Sequence, residues 1–246
     1  MATPKQLITQ ILGRLLFEDG HVTRVQTPAL AYRRITLEIP AWRGKRFEPG
    51  SNFRIAQPGP ELRTYTLLSL DSATGQAETL LHLHGQGPGS AWGSTVRAGD
   101  AVQVFGPEPS RRAARLAEGR VRTAVFGDET SFGIALMAQS FADSLAVFEV
   151  SDVAAAQTVL ATLGLERAVL IERQRDGAHL PRTAEALRAA LRQLSGMSPG
   201  LSETIELVLT GQAQSIQTVR AQLRAAGIDA TQTVKPHWAV GKTGLD

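Results

Sequence analysis

Residues 119–131, GRVRTAVFGDETS, mark the point where the hydrophobic pattern of this 246-residue chain changes. An apolar, β-rich run from Val121 to Phe126 ends in Gly-Asp, and Thr130 or Ser131 can cap a helix that follows. Further apolar runs at 146–150, 167–171 and 205–209 alternate with an Ala-rich helix and with helical patterns at 183–195 and 215–226. Strands that alternate with helices in this way predict a parallel α/β sheet.

The preceding part of the chain has a different pattern. Between residues 18 and 107, about six short apolar runs are separated by turn sequences such as Pro49-Gly50 and Asp71-Ser72. Such spacing predicts a closed antiparallel barrel, which leaves no exposed strand edge. We therefore predict a two-domain β plus α/β protein: an N-terminal helix at 1–17, a barrel domain at 18–110, and an α/β domain at 119–246 with a Trp-containing tail. An Arg-containing linker joins the domains near 108–118.

Composition excludes several classes of protein. The chain contains no cysteine, which excludes disulfides, thiolate-held iron–sulfur clusters and a cysteine nucleophile. No apolar run is long enough to cross a bilayer, and the first residues resemble an amphipathic helix more than a signal peptide, so we expect a cytoplasmic protein with no integral membrane segment. The net charge of +3 is too small to require a nucleic-acid partner, and we predict none.

Two segments of the barrel can carry chemistry together. Arg63-Thr64-Tyr65-Thr66 places a phosphate-binding guanidinium and an aromatic ring on one face of a strand. The segment at 84–92, HGQGPGSAW, has three glycines within five residues before a possible helix start, and such a loop exposes N–H groups to a phosphate. Either segment alone is more often an ordinary strand or turn.

With these two segments in place, the sequence resembles the siderophore-interacting proteins, the FAD-dependent ferric-siderophore reductases of the ferredoxin-reductase-like superfamily. Three further segments agree in order: the GDET element at 127–130, Thr210-Gly211-Gln212 before the last helix, and the tail KPHWAVGKTGLD at 235–246. The resemblance implies an N-terminal FAD-binding β-barrel followed by a sheet like that of NAD(P)H-binding domains.

The resemblance also implies which residues bind FAD. In the family pattern the arginine binds the phosphates, the tyrosine packs on the isoalloxazine, the next threonine bonds the flavin edge, and the glycine loop donates to the pyrophosphate. Carried over to this chain, the set is Arg63, Tyr65, Thr66, His82, His84, Gly85, Gly87, Gly89, Ser90, Thr130 and Trp238.

Some positions depart from the family pattern. Leu68 stands where a second arginine is frequent, Gln212 replaces a glutamate, and His237 replaces the usual aromatic residue before Trp238. Residues from 127 onward show no G-x-G-x-x-G loop, so the electron donor is predicted as either NAD(P)H or reduced ferredoxin. His82 and His84 share a strand face, but two histidines without a third ligand make a poor metal site, and we predict no protein-bound metal.

The predicted reaction is the FAD-dependent reduction of a ferric siderophore with release of Fe(II), for which no catalytic side chain is strictly required. Because ferric catecholates are anionic, we predict that Lys45, Lys235 and Lys242 form a basic rim that attracts them. Two alternatives stay open. The first is a flavoreductase for another acceptor, such as free flavin, a quinone or a protein partner. The second is a non-catalytic barrel that has lost FAD, which Leu68 would favour.

Overall fold

The computed structural model describes residues 17–56, 62–85, 87–110, 121–197, 205–228 and 230–240. The chain divides into two compact units. Unit 1 comprises Met1–Thr27 and Arg33–Ser110, and unit 2 comprises Pro28–Tyr32 and Arg111–Asp246. The predicted N-terminal helix and most of the predicted linker lie outside the described residues.

Unit 1 contains the predicted closed antiparallel barrel, which the structure confirms. Its strands follow the order β1-β2-β5-β4-β3-β6 around the barrel. They are β1 (Glu18–Gln26), β2 (Tyr32–Glu38), β3 (Asn52–Ala56), β4 (Leu62–Asp71), β5 (Gln76–His82) and β6 (Ala101–Glu108), with a 3-10 turn at Pro40–Trp42 and helix α1 (Pro88–Thr95) after β5. The interior is apolar and includes Trp42, whose ring meets that of Phe53 edge to face at 5.5 Å.

Unit 2 contains the predicted parallel sheet, also confirmed, with one strand more than the sequence indicates. Its elements are β7 (Arg122–Gly127), a 3-10 turn (Glu129–Ser131), α2 (Phe132–Gln139), β8 (Ser144–Val150), α3 (Val153–Thr162), β9 (Val169–Glu172), α4 (Leu180–Gly196), β10 (Ile205–Gln212), α5 (Ala213–Ala225) and β11 (Thr231–Trp238). The order β11-β10-β7-β8-β9 places a topological switch between β7 and β10. In open α/β sheets, ligands bind at the carboxyl ends of the strands at such a switch.

Strand β11 comes from the tail, for which the sequence predicts no strand. It pairs in parallel with β10 and forms one edge of the sheet, where Pro236 is tolerated because its missing N–H can face away from the partner strand. This pairing carries His237 and Trp238 to the carboxyl end of β10. No helix among the described residues is long and apolar enough to cross a membrane.

Candidate functional site

The two predicted FAD-binding segments of unit 1 meet in the structure. Arg63 and Tyr65 lie on β4, and Gly89 lies in the first turn of α1. A methyl group at Gly89 would come within 2.9 Å of Tyr65 Oη and 3.8 Å of Arg63 Cγ. A side chain at position 89 would therefore require the Tyr65 ring to shift.

The described backbone of the loop before α1 favours glycine at two positions. Gly85 and Gly87 have φ angles of +91° and +111°, which favour glycine strongly. Gly87 precedes Pro88 at the start of the helix and has no side chain to cap it. Since Pro88 has no N–H, the N–H groups of Gly89 and Ser90 are the first donors of the helix, and they have no partner within its hydrogen-bond ladder. An anion is the natural acceptor for such donors.

Two buried hydroxyl groups beside this loop have no hydrogen-bond partner within the described part of the chain. They are Tyr65 Oη and Ser90 Oγ. Burial raises the pKa of Tyr65, although the nearby Arg63 guanidinium acts in the opposite direction. A buried hydroxyl without a partner costs roughly 1–3 kcal/mol, and native proteins rarely keep one. The barrel therefore fits a cofactor that offers polar atoms to both hydroxyls and a phosphate to the helix.

The structure also describes the other predicted residues of the barrel. The Arg63 guanidinium donates to the carbonyl of Leu62 at 3.1 Å, and the Thr66 carbonyl accepts the Thr79 hydroxyl at 2.9 Å. His82 ends β5, and His84 lies next to the loop, 3.6 Å from the point where a Cβ of Gly87 would be. Leu68, the expected departure from the family, is buried in β4 where the register with β5 shifts.

In unit 2, the predicted residue Thr130 belongs to a chain of hydrogen bonds between strand ends. The Thr130 hydroxyl donates to Asp128 Oδ1 at 2.5 Å and lies 2.9 Å from His237 Nδ1. The other ring nitrogen, Nε2, lies 2.8 Å from the hydroxyl of Thr210. His237 on β11 thus joins the carboxyl ends of β7 and β10. Gly211 allows this close approach, since a Cβ there would lie 2.6 Å from Asp128 Oδ2.

Trp238 is held at the same end of the sheet. Its indole Nε1 donates to Asp128 Oδ2 at 2.7 Å, and the guanidinium of Arg173 lies 6.0 Å from its ring centroid. Arg173 in turn donates to Glu129 Oε2 at 2.7 Å, and Glu129 Oε1 accepts both the N–H and the hydroxyl of Ser151. Burial opposes the charge of Arg173, but the ion pair and hydrogen bond with Glu129 raise the arginine pKa above its usual value.

A second carboxylate lies deeper in this network. Glu149 Oε2 lies 2.7 Å from His179 Nε2, and Glu149 Oε1 lies 3.7 Å from Arg173 Nε. The Glu149 side chain has no exposed surface, and burial raises its pKa, against the hydrogen bond with His179. The sequence patterns did not single out Glu149, Arg173 or His179, and Glu129 was noted only as part of the GDET element. The available signal was an acidic residue in the otherwise apolar run of β8, SLAVFEV.

The predicted basic rim is described only in part. Lys45 Nζ donates to Glu18 Oε1 at 2.8 Å and to the carbonyl of Gly106 at 3.1 Å. Lys235 is exposed on β11, and Lys242 lies outside the described residues. Within the described ranges no group of three or more His, Cys, Asp or Glu side chains could hold a metal ion.

Comparison with known proteins finds a family match within the barrel. Residues 48–111, which include β4, β5 and the glycine loop, match the model of the siderophore-interacting FAD-binding domain. The expected family resemblance is confirmed. A search of curated proteins finds no match.

Solved structures with this resemblance share the two-unit fold. A siderophore utilization protein from T. fusca is 21% identical, with a TM-score of 0.63, and 94% of this chain covers 95% of that one. The siderophore-interacting protein SipS from Aeromonas hydrophila is 18% identical, with a TM-score of 0.66 and coverage of 93% and 94%. A ferredoxin NADP+ reductase from Neisseria gonorrhoeae, with bound FAD and NADP, is 14% identical, with a TM-score of 0.64 and coverage of 91% and 99%. At these identities the likeness shows the fold.

Proposed function

We propose that this chain is an FAD-dependent reductase that reduces Fe(III) in a siderophore and releases Fe(II). The observation that carries the proposal is the pair of buried hydroxyls, on Tyr65 and Ser90, beside the glycine loop of the barrel. They lie within the segment that matches the siderophore-interacting FAD-binding domain. A bound FAD would supply the partners that these hydroxyls and the first amides of α1 lack within the described residues.

The residues proposed to hold FAD divide by chemistry. Arg63 provides a cation for the phosphates, and Gly89 and Ser90 provide N–H donors at a helix start, where the helix dipole also favours an anion. Tyr65 provides an aromatic ring and a hydroxyl. The resemblance adds Thr66, His82, His84, Gly85 and Gly87 from the barrel, and Thr130 and Trp238 from unit 2.

FAD, when bound, accepts two electrons from NAD(P)H, or single electrons from reduced ferredoxin, and passes them on singly. The residues of this chain then need only bind and orient the cofactor and the ferric chelate. Iron release follows from ligand preference, because the oxygen ligands of siderophores hold Fe(III) more tightly than Fe(II). We place the reaction in the cytoplasm, where these donors are available.

For the substrate we propose attraction of an anionic chelate by Lys45, Lys235 and Lys242. The pairing of Lys45 with Glu18 reduces its share, so the Lys235→Ala and Lys242→Ala variants are the informative ones. Each should raise the KM for an anionic ferric chelate and leave that for a neutral chelate unchanged. Equal effects on both chelates would contradict the basic rim.

The decisive experiment is an absorption spectrum of the full chain, with and without added FAD. We expect flavin bands that co-elute with the protein, bleach with dithionite and recover on addition of a ferric siderophore. The Arg63→Ala variant should bind FAD about tenfold more weakly or worse, since a hydrogen bond to a charged group contributes about 1.5–3 kcal/mol. The matched control is Arg54→Ala on the neighbouring strand, whose guanidinium pairs with Glu108.

Two other outcomes would change the conclusion, and a third would select the electron donor. A protein that does not bind excess FAD would favour the non-catalytic barrel, and Leu68→Arg would be the first reversion to make. A flavin that is reduced but not reoxidised by ferric chelates would favour another acceptor. Reduction by reduced ferredoxin but not by NAD(P)H would identify the donor.

A further inference from the structure

The direction of each hydrogen bond around His237 can be deduced from the donors available. The Thr130 hydroxyl has one proton, and it donates that proton to Asp128 Oδ1 at 2.5 Å. Thr130 Oγ1 can therefore only accept from His237 Nδ1, 2.9 Å away, so this nitrogen carries a proton. Nε2 then faces the Thr210 hydroxyl at 2.8 Å. It accepts from that hydroxyl when His237 is neutral and donates to it when His237 is charged.

The second histidine of this network, His179, carries its ring proton on the other nitrogen. His179 Nδ1 lies 3.1 Å from the backbone nitrogen of Gln174, and a backbone N–H can only donate. Nδ1 is therefore an acceptor, and the ring proton lies on Nε2, toward Glu149. A second proton on His179 would break the bond from Gln174. His237 can take up a proton and keep its hydrogen bonds with Thr130 and Thr210, because the Thr210 hydroxyl can rotate.

The charges around His237 favour proton uptake. Among the described residues, the strand ends of this unit carry buried carboxyl groups on Asp128, Glu129 and Glu149 and a guanidinium on Arg173. Lys235, on the same strand as His237, is exposed. Any electron added to a group bound at this place adds negative charge to a region whose described residues already include the buried carboxyl groups of Asp128 and Glu129. A positive charge on His237 would offset it.

We propose that His237 is the residue that takes up a proton when the reductase is reduced. The inference rests on the proposed function, in which Thr130 and Trp238 lie beside the flavin. As the site gains electrons, His237 gains one proton from solvent at Nε2, and it returns that proton when the electrons leave to the ferric chelate. In this proposal His237 contacts Thr130 and Thr210 rather than the cofactor, so it is a positioning residue whose charge acts at a distance.

The test measures the midpoint potential of the FAD-loaded full chain against pH, between about pH 6 and 8, with dithionite as reductant. One additional proton for two electrons changes the equilibrium constant tenfold per pH unit. For a two-electron couple this steepens the slope by up to about 30 mV per pH unit. We expect the steeper slope in the wild type and its loss in His237→Gln, which can keep hydrogen bonds to both threonines but does not titrate. Equal slopes in the two proteins would overturn the proposal.

Two further variants separate this role from general effects. His21→Gln changes an exposed histidine of the barrel and should leave the slope unchanged. Thr210→Val keeps His237 but removes the acceptor for a protonated Nε2, so the steep region should move to lower pH. A His21→Gln variant that also loses the steep slope would overturn the assignment to His237.

A measurement on the flavin-free protein tests the hydrogen-bond geometry independently. Long-range ¹H–¹⁵N NMR should show neutral His237 as the Nδ1–H tautomer above about pH 8. The Nε2–H tautomer would contradict the directions deduced above. Failure to bind FAD would remove the proposed function and this inference together, whereas a flavin-loaded protein with equal slopes would remove the inference alone.

Discussion

Replacing Tyr65 by phenylalanine should stabilise the flavin-free protein and weaken its binding of FAD. The substitution keeps the ring, which packs against those of Phe53 and Trp92 at centroid distances of 6.2 and 6.1 Å. It removes only a buried hydroxyl that lacks a partner among the described residues. Such a hydroxyl costs roughly 1–3 kcal/mol, so the free energy of unfolding should rise by at least about 1 kcal/mol.

The same hydroxyl should contribute to FAD binding if the cofactor supplies its missing partner. A hydrogen bond contributes about 0.5–1.5 kcal/mol net, which corresponds to a roughly 2- to 12-fold increase in the Kd for FAD. Urea denaturation without FAD measures the first effect, and titration with FAD, followed by flavin fluorescence, measures the second. Ser90→Ala removes the other unpartnered hydroxyl and should change both quantities in the same directions.

Thr79→Val provides the matched control. Its hydroxyl is equally buried but donates to the Thr66 carbonyl at 2.9 Å, so its removal should lower the free energy of unfolding by about 1 kcal/mol. The reasoning is refuted if Tyr65→Phe destabilises the flavin-free protein as Thr79→Val does. Stabilisation without any loss of FAD affinity would show that FAD does not reach this hydroxyl.

Three further predictions follow from other parts of the structure. Burial raises the pKa of both Tyr65 and Tyr32, the two tyrosines of the chain. The folded state therefore keeps phenol protons that the unfolded state releases above about pH 10. Above that pH, the free energy of unfolding should fall by up to about 1.4 kcal/mol per pH unit for each tyrosine. Urea denaturation midpoints measured at rising pH would show this fall. Gly89→Ala places a methyl group 2.9 Å from Tyr65 Oη, so it should weaken FAD binding about tenfold in a fluorescence titration. Gly196 has open space around it, so Gly196→Ala should leave FAD binding unchanged. Glu129→Gln breaks a buried ion pair and should lower the free energy of unfolding by about 3 kcal/mol in urea denaturation; a loss below about 1 kcal/mol would show that the pair is not structurally important.

The sequence predicts the two folds well because the hydrophobic pattern differs between the two parts of the chain. Short runs with turns every few residues indicate the barrel, and strands that alternate with helices indicate the parallel sheet. Strand β11 escapes prediction because Lys235, Pro236 and His237 interrupt its apolar pattern, and its pairing with β10 outweighs that weak local preference.

The barrel site was more predictable than the network in unit 2. The meeting of Tyr65 with Gly89 follows from two local motifs. By contrast, Glu129 and Arg173 are 44 residues apart, and only the order of parallel strands brings their ends together. Spacing along the chain gives no sign of such a pair until the topology is known.

The hydrogen bond from Trp238 to Asp128 has a consequence for how the protein folds. It joins residues 110 apart in sequence, while Asp128 also caps its own turn through Thr130, two residues away. Contacts between distant residues form slowly because the loss of chain entropy precedes any gain from the contact. We therefore expect the cap to form early, and we expect the surroundings of Trp238 to become native only when β11 has joined the sheet. The same tryptophan that we propose for the cofactor site should therefore report, through its fluorescence, on a late step in the folding of this unit.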